Sequence, residues 1–301
     1  MTSRLPRPAN PARLLACAAL LAVSAGLAAQ QALAPRTAFP GAMGWAAHTP
    51  GGRGGRIIRV TTLATEGPGS LREAVDSKGP RIVVFEVGGV IALGVKALKI
   101  REPFLTIAGQ TAPQPGITLV RGGIDLSAHD VVIQHLRVRP GEAGLAKMAG
   151  TDFDSISTVG AHDVIVDHCS LTWSTDENLS ASGTRFKGDT PEQWREGTSH
   201  RITFSNNILA EGLGYATHAK GEHSKGSLIH DNARDILVIG NLYSQNRERN
   251  PMFKGGTQGW VVNNLINNPG QRAVHYNLIA AEWQGHPYQD GRLVLVGNSM
   301  R

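Results

Sequence analysis

The segment His162–Leu171, HDVIVDHCSL, decides the fold, because its opening phrase recurs at His129–Ile133 (HDVVI), His200–Phe204 (HRITF), Arg234–Val238 (RDILV) and Gly291–Leu295 (GRLVL). Each run is short and rich in β-branched residues, too short for a helix, and so reads as a strand. An asparagine follows several of these runs at one fixed offset: Asn207, Asn241 and Asn298, with Asn264 in the same place after Trp260-Val261-Val262. The intervals between them are 34, 23 and 34 residues, which suits coils of 23 with a loop of 11 inserted in some. An asparagine at one recurring corner can stack and hydrogen-bond the backbone above and below it. A helical repeat would show a 3.6-residue period and capping signals, and a sandwich or propeller gives no reason for the corner. The expected fold is all-β, a right-handed parallel β-helix in which strands bury one continuous core and inserted loops build a cleft on one side.

Working outward, short β-rich runs at Ile82–Val87, Leu98–Ile100, Leu105–Ala108 and Ile117–Val120 are separated by Gly, Pro, Asn and Asp, as further coils require. Before them, Ser70-Leu71-Arg72-Glu73 has the form of a capping box, predicting one short N-terminal capping helix to about Ser77. The glycines at 51, 52, 54 and 55 are followed by no Lys-Ser or Lys-Thr, so they read as tight turns and not as a phosphate loop. Residues 1–34 read as a secretory signal peptide, with Arg4, Arg7 and Arg13, no acid, an apolar run from Leu14 to Leu27, and Ala32-Leu33-Ala34 as the cleavage signal. That run is shorter than the roughly 20 residues of a spanning helix, so no stable membrane association is expected. Residues 35–301 then form one β-helix domain, exported to the periplasm or beyond. Cys169 is its one cysteine, so the core must hold it without an internal disulfide.

The chain carries a net charge of +6, of which the signal arginines supply +3. Mild basicity fits a polyanionic partner, while the absence of basic runs interleaved with aromatics, which are only 5% of residues, argues against nucleic acid. A monomer is expected. The chemistry concentrates in residues 151–180, TDFDSISTVGAHDVIVDHCSLTWSTDENLS. Asp152 and Asp154 are two apart and would share one face of an extended strand, where a hard cation would offset their repulsion. Asp176 and Glu177 arrive one coil later, which would set Asp176 beside Asp154. Taken alone, these acids also read as solvated turn residues. Two basic clusters follow, at 218–226 (HAKGEHSKG) and 247–255 (RERNPMFKG), the second with Pro251 fixing the turn between Arg249 and Lys254.

These residues carry a resemblance. Asp152–Ile156 (DFDSI), Val164–Leu171 (VIVDHCSL), Asp176 and Arg249–Lys254 (RNPMFK) make the chain from about Ala38 onward similar to the pectate lyase superfamily, most of all to the secreted pectate lyases of polysaccharide lyase family 1. The resemblance implies calcium as cofactor and acidic plant cell-wall polysaccharide, pectate, as substrate, cleaved by β-elimination. It implies Asp152, Asp154 and Asp176 as calcium ligands. Where the family often has a further carboxylate this chain has Ser180, so Glu177 or substrate oxygens would have to compensate. It implies Arg249 as the group that takes the C5 proton and Lys254 as a carboxylate-binding cation, with Lys225 in the same role and Lys220 as its fallback. Two other functions compete: a polygalacturonase-like hydrolase, which typically has adjacent aspartates that this chain lacks, and a non-catalytic carbohydrate-binding solenoid, which Ser180 favours and Arg249 with Lys254 disfavours.

Other residues read more plainly. His168 is expected as a packed, hydrogen-bonded core histidine and Cys169 as structural, at the corner where later coils use asparagine. Trp173, Trp194, Trp260 and Trp283 suit sugar stacking or the core equally. The last strand phrase is followed by no amphipathic segment, so residues 35–301 are expected to lack a C-terminal cap.

Overall fold

A computed structural model describes residues 36–301 except Ser224; the expected signal segment lies outside the described residues. The polypeptide winds into coils whose successive strands enter three sheets of nine, eight and seven strands. One coil runs through His162–Asp167, Ser170–Thr172 and Glu177–Ser182, and the next through His200–Ser205, Ile208–Ala210 and Lys225–Ile229. Every pairing between these strands is parallel, and the recurring phrases fall in register in the first sheet, where Val131, Val164, Ile202 and Ile236 are successive partners. This is the parallel β-helix expected from the sequence. The upstream strands match closely, with Arg81–Phe85 in place of Ile82–Val87 and the other three on the residues expected.

Strand alternation explains the core. Val131, Ile133, Val164, Val166, Ile202, Phe204, Ile236 and Val238 point inward and are at most 1% exposed, forming one continuous apolar column. The asparagine corner closes it. The side-chain Oδ1 of Asn207 accepts from the Cys169 amide (2.8 Å), Asn241 Oδ1 from the Asn207 amide (2.9 Å), Asn264 Oδ1 from the Asn241 amide (2.9 Å) and Asn298 Oδ1 from the Asn264 amide (3.0 Å). Their Nδ2 groups donate back to the carbonyls of Val166, Phe204, Val238 and Val261. Cys169 heads this ladder with its thiol buried, and burial pushes that thiol up to about 12, which suits a structural residue and not a nucleophile.

A helix, Leu71–Asp76, covers the first coils with Leu71, Ala74 and Val75. Ser70 Oγ accepts from the Glu73 amide (3.2 Å), but the Glu73 carboxylate accepts from Gly69 instead of Ser70, so the capping box is shifted by one residue at its return bond. Gly52 lies so close to the next element that a Cβ would sit 1.8 Å from the Arg81 carbonyl, which is why the 51–55 turn is glycine-rich. A second helix, Pro191–Gly197, lies in the loop after Glu177–Ser182; its signal, Thr190 capping Gln193 with proline at the first position, is plain in the sequence but was not among the expected elements. His168 corrects another expectation. It is bonded to Asp167 (2.8 Å) but half exposed, because it occupies the left-handed corner (φ 52°) that turns its ring outward. Trp194 and Trp283 are buried, whereas Trp173 and Trp260 are exposed. Among the described residues no helix is long and apolar enough to cross a membrane.

The ladder yields a test. Replacing Asn241 by Ala deletes bonds in both directions and strands the Asn207 amide, costing about 2–4 kcal/mol of unfolding free energy. Replacing Asn267, whose side chain among the described residues bonds only Ser244 Oγ, should cost about 1 kcal/mol or less. Equal losses in a urea titration of the two variants would remove the ladder from its supporting role.

Candidate active site

All of the chemistry-bearing residues come from one corner of the coil, the connection between the second and third sheets, and from the third sheet itself. Successive turns there deliver residues 151–154, then Ser174–Asp176, then the loop 211–223, then 245–251. The corner is tied by a second amide chain, in which Asn178 Nδ2 donates to Asn246 Oδ1 (3.0 Å) and Asn246 Nδ2 to Asn250 Oδ1 (3.1 Å). Phe153 is pinned to the turn above it, its amide donating to Thr175 Oγ1 (2.9 Å) and its carbonyl accepting from the Asp176 amide (3.2 Å).

The result is a cleft of about 400 Å³ lined by Asp125, Asp152, Asp154, Asp176, Glu177 and Ser180, with His230 at its edge. Carboxylate oxygens of Asp154, Asp176 and Glu177 lie within 4.8 Å of one another. Asp154 accepts from the Glu177 amide (3.0 Å) and from the Ser180 hydroxyl, and Ser180 also meets Ser157 Oγ at 2.8 Å. Ser180 therefore bonds to the Asp154 carboxylate instead of adding one. Burial, then the charge of Asp176, raises Asp154 well above the usual carboxylate range. Asp125, one coil earlier and in register with Ser157, is likewise raised by burial, although Lys99 and Arg101 oppose it. Nothing in the residues around Asp125 marks it as a site residue; only the register finds it.

Asp152 departs from the expected geometry. Residues 151–154 are not a strand, and the Asp152 carboxylate lines the cleft facing His218 Nε2 at 3.7 Å instead of sharing a strand face with Asp154. His218 and His223, read in sequence only as part of a basic cluster, are buried and stacked with centroids 3.8 Å apart. His223 Nε2 contacts Asp176 at 2.6 Å. Burial alone would raise Asp176, but the His223 hydrogen bond and the charges of His223, His218 and Arg249 hold it below the usual range. His218 Nδ1 accepts from the Lys220 amide (3.1 Å), so a neutral His218 carries its proton on Nε2, facing the acids.

Three of the four expected cations are at the cleft side of this sheet, each on a carboxylate. Arg249 is ion-paired with Glu177, Lys225 with Glu248, and Lys254 with Glu282 and, at 3.4 Å, with Asp231. Glu177 and Lys225 are direct neighbours across adjoining strands. Burial lowers the pKa of Arg249 from its ordinary value, with Asp176, Asp154 and Glu282 acting in the other direction. Its Nε is buried with no acceptor among the described residues. Lys254 adjoins the cleft through His230 and Asp231, and Glu282 also binds Arg185 (2.6 Å). Lys220 is exposed on the loop, which leaves Lys225 as the better placed of the two.

The donor set fits a cation. Three converging carboxylates, one of them pushed toward protonation by burial and by the charge of Asp176, are what a hard, oxygen-preferring ion would relieve; Asp176 with His218 and His223 forms a second group that could hold a metal.

Fold and site together define a parallel β-helix whose one corner sets a carboxylate cluster against a row of buried cations. Comparison with known proteins gives that class its relatives. The chain is 36% identical over 262 residues to a probable pectate lyase C of Aspergillus terreus, covering 87% of this chain and 53% of that one. It is 38% identical over 234 residues to a probable pectate lyase C of Emericella nidulans, covering 77% and 48%. The chain thus spans about half the length of the curated relatives it matches, and the resemblance to pectate lyases read from its motifs holds across most of it. A point-mutant pectate lyase from Bacillus subtilis shares the fold with a TM-score of 0.56 at 14% identity, covering 89% of this chain and 88% of that one. No family model matches the chain.

The strained carboxyl makes a prediction. A carboxyl raised in the native state binds more protons folded than unfolded, so stability falls as pH rises from about 4 toward the folded value. Asp154→Asn keeps the acceptor for the Glu177 amide and removes that charge. In metal-free buffer at neutral pH the variant should be more stable than the unaltered chain by about 1 kcal/mol or more, and less dependent on pH. A less stable variant under chelation would show that Asp154 is not repelled as its surroundings require.

Proposed function

We propose that the chain is an exported pectate lyase that cleaves polygalacturonate by β-elimination with calcium as cofactor, releasing 4,5-unsaturated oligogalacturonates. The observation that carries this reading is the placement of Arg249, Lys225 and Lys254 beside the Asp154, Asp176 and Glu177 carboxylates on adjoining coils of one sheet. The probable pectate lyases to which the chain is similar support it.

Asp154, Asp176 and Glu177, with Asp152 at the margin, are the residues that would hold calcium. When bound, calcium supplies positive charge beside the C6 carboxylate of a galacturonate unit and so makes the neighbouring C5 proton more acidic. Lys225 and Lys254 bind substrate carboxylates by exchanging them for Glu248 and Glu282, a swap of like for like that costs little charge. Arg249, having lost its own proton to solvent and so in its uncharged form, accepts the C5 proton. The electrons of that C–H bond form the C4–C5 double bond as the C4 glycosidic bond breaks, and the departing oxygen takes a proton from water. A guanidinium is ordinarily protonated, and the burial of Arg249 is the feature of this chain that opposes its charge.

Unsaturated product absorbs near the ultraviolet edge, which gives the assay. Arg249→Lys keeps the charge but loses the planar fork, and turnover on polygalacturonate should fall by at least about a hundredfold while binding holds. Arg247→Lys, two residues away, is the comparison. Should Arg247→Lys be the more damaging to turnover, or binding collapse together with rate in Arg249→Lys, the proton-accepting role belongs elsewhere.

A further inference from the structure

Glu177 serves two partners that compete for it. It is one of the three carboxylates converging on the candidate cation site, and it is the ion-pair partner of Arg249. Its side chain is 5% exposed, so Glu177 has no water to replace a lost partner, whereas that of Arg249 is 19% exposed and keeps an edge at solvent. The other carboxylates have partners that survive a cation's arrival: Asp154 keeps the Glu177 amide and Ser180, and Asp176 keeps His223. Ser180 cannot stand in for Glu177, since its hydroxyl already spans Asp154 and Ser157.

Resting on the lyase reading above, we propose that Glu177 is an exchange residue: it holds Arg249 while the cation site is empty and turns to the cation when the site fills, releasing the guanidinium toward the cleft. A cation at Asp154 and Asp176 attracts Glu177 and repels Arg249, so both forces act in the same direction. The backbone does not have to move, because the Glu177 amide is fixed to Asp154 and its strand is fixed to Lys225. Glu177 is in this sense a positioning residue for Arg249, and the cation governs when Arg249 is presented.

A double-mutant cycle in calcium affinity isolates the exchange. Calcium dissociation constants are measured by titration calorimetry, without substrate, for the unaltered chain, Glu177→Gln, Arg249→Gln and the double variant, each checked for a cooperative melt. Through-space repulsion by Arg249 is present in both backgrounds and cancels. With Glu177 in place, Arg249→Gln should tighten calcium by at least about fivefold more than it does in the Glu177→Gln background. Equal effects in the two backgrounds overturn the exchange, as does a weakening of calcium by Arg249→Gln, which would mean that Glu177 bridges both partners. If Glu177→Gln does not fold, the unaltered chain carries the test: peptide-mapped phenylglyoxal labelling of Arg249 should quicken when calcium is added, and an unchanged or slower rate overturns the exchange. Unsaturated product formed by a chain with no coupling would refute the exchange and leave the lyase reading standing. No calcium binding and no product would refute both.

Discussion

Parallel strands stacked in register repeat at about 4.8 Å, so whatever one coil places at a corner meets the same corner of the next. Identical groups then either support each other or repel each other, coil after coil. Asparagine supports: its amide donates and accepts, and the run from Cys169 through Asn298 uses both ends. Histidine supports as well, with the rings of His129, His162 and His200 stacked 4.9 Å apart. Carboxylates do not, and the corner between the second and third sheets is where the chain has accumulated them. Asp154, Asp176 and Glu177 face each other there, and the coils beyond answer with Lys225, Arg249 and Lys254. The site is thus a local violation of what stacking favours, placed where the rest of the solenoid is regular.

The legibility of the sequence follows from the same geometry. The strands and the first asparagine ladder could be read directly, because register turns a spatial corner into a recurring phrase at 23 or 34 residues. The second amide chain could not, since Asn178, Asn246 and Asn250 stand at no common interval and meet only because loops of different length converge. Asp154, Asp176, Glu177 and Arg249 were legible as candidates, and the structure gathers them. Their counter-charges were not legible: Glu248 and Glu282 reach Lys225 and Lys254 from other coils, and Asp125 enters the cleft through register alone. Asp152 and His168 show the limit of reading alternation into short segments. Residues 151–154 never become a strand, and His168 sits at a left-handed corner that turns it to solvent.

Every cation proposed to act on substrate is already neutralised by a side-chain carboxylate. This makes the cleft a set of internal ion pairs in which an acidic polysaccharide would replace one carboxylate with another. It also explains why buried cations are tolerable before substrate arrives, since an unpaired buried charge would be costly. A non-catalytic sugar-binding solenoid would gain nothing from burying Arg249 beside a carboxylate cluster. An inverting hydrolase would need a second carboxylate about 6.5–9.5 Å from its acid to leave room for water, whereas the oxygens of Asp154, Asp176 and Glu177 converge within 4.8 Å.

Elimination and hydrolysis differ in the fate of water, and that difference tests the central claim most directly. Polygalacturonate would be digested by the purified chain with calcium in water enriched in heavy oxygen, and the products weighed by mass spectrometry. The account predicts unsaturated-end fragments one water lighter than their saturated counterparts, with no heavy oxygen introduced by cleavage. Saturated fragments on both sides of the cut, with one heavy oxygen at the new reducing end and none at the new C4 hydroxyl, would contradict it.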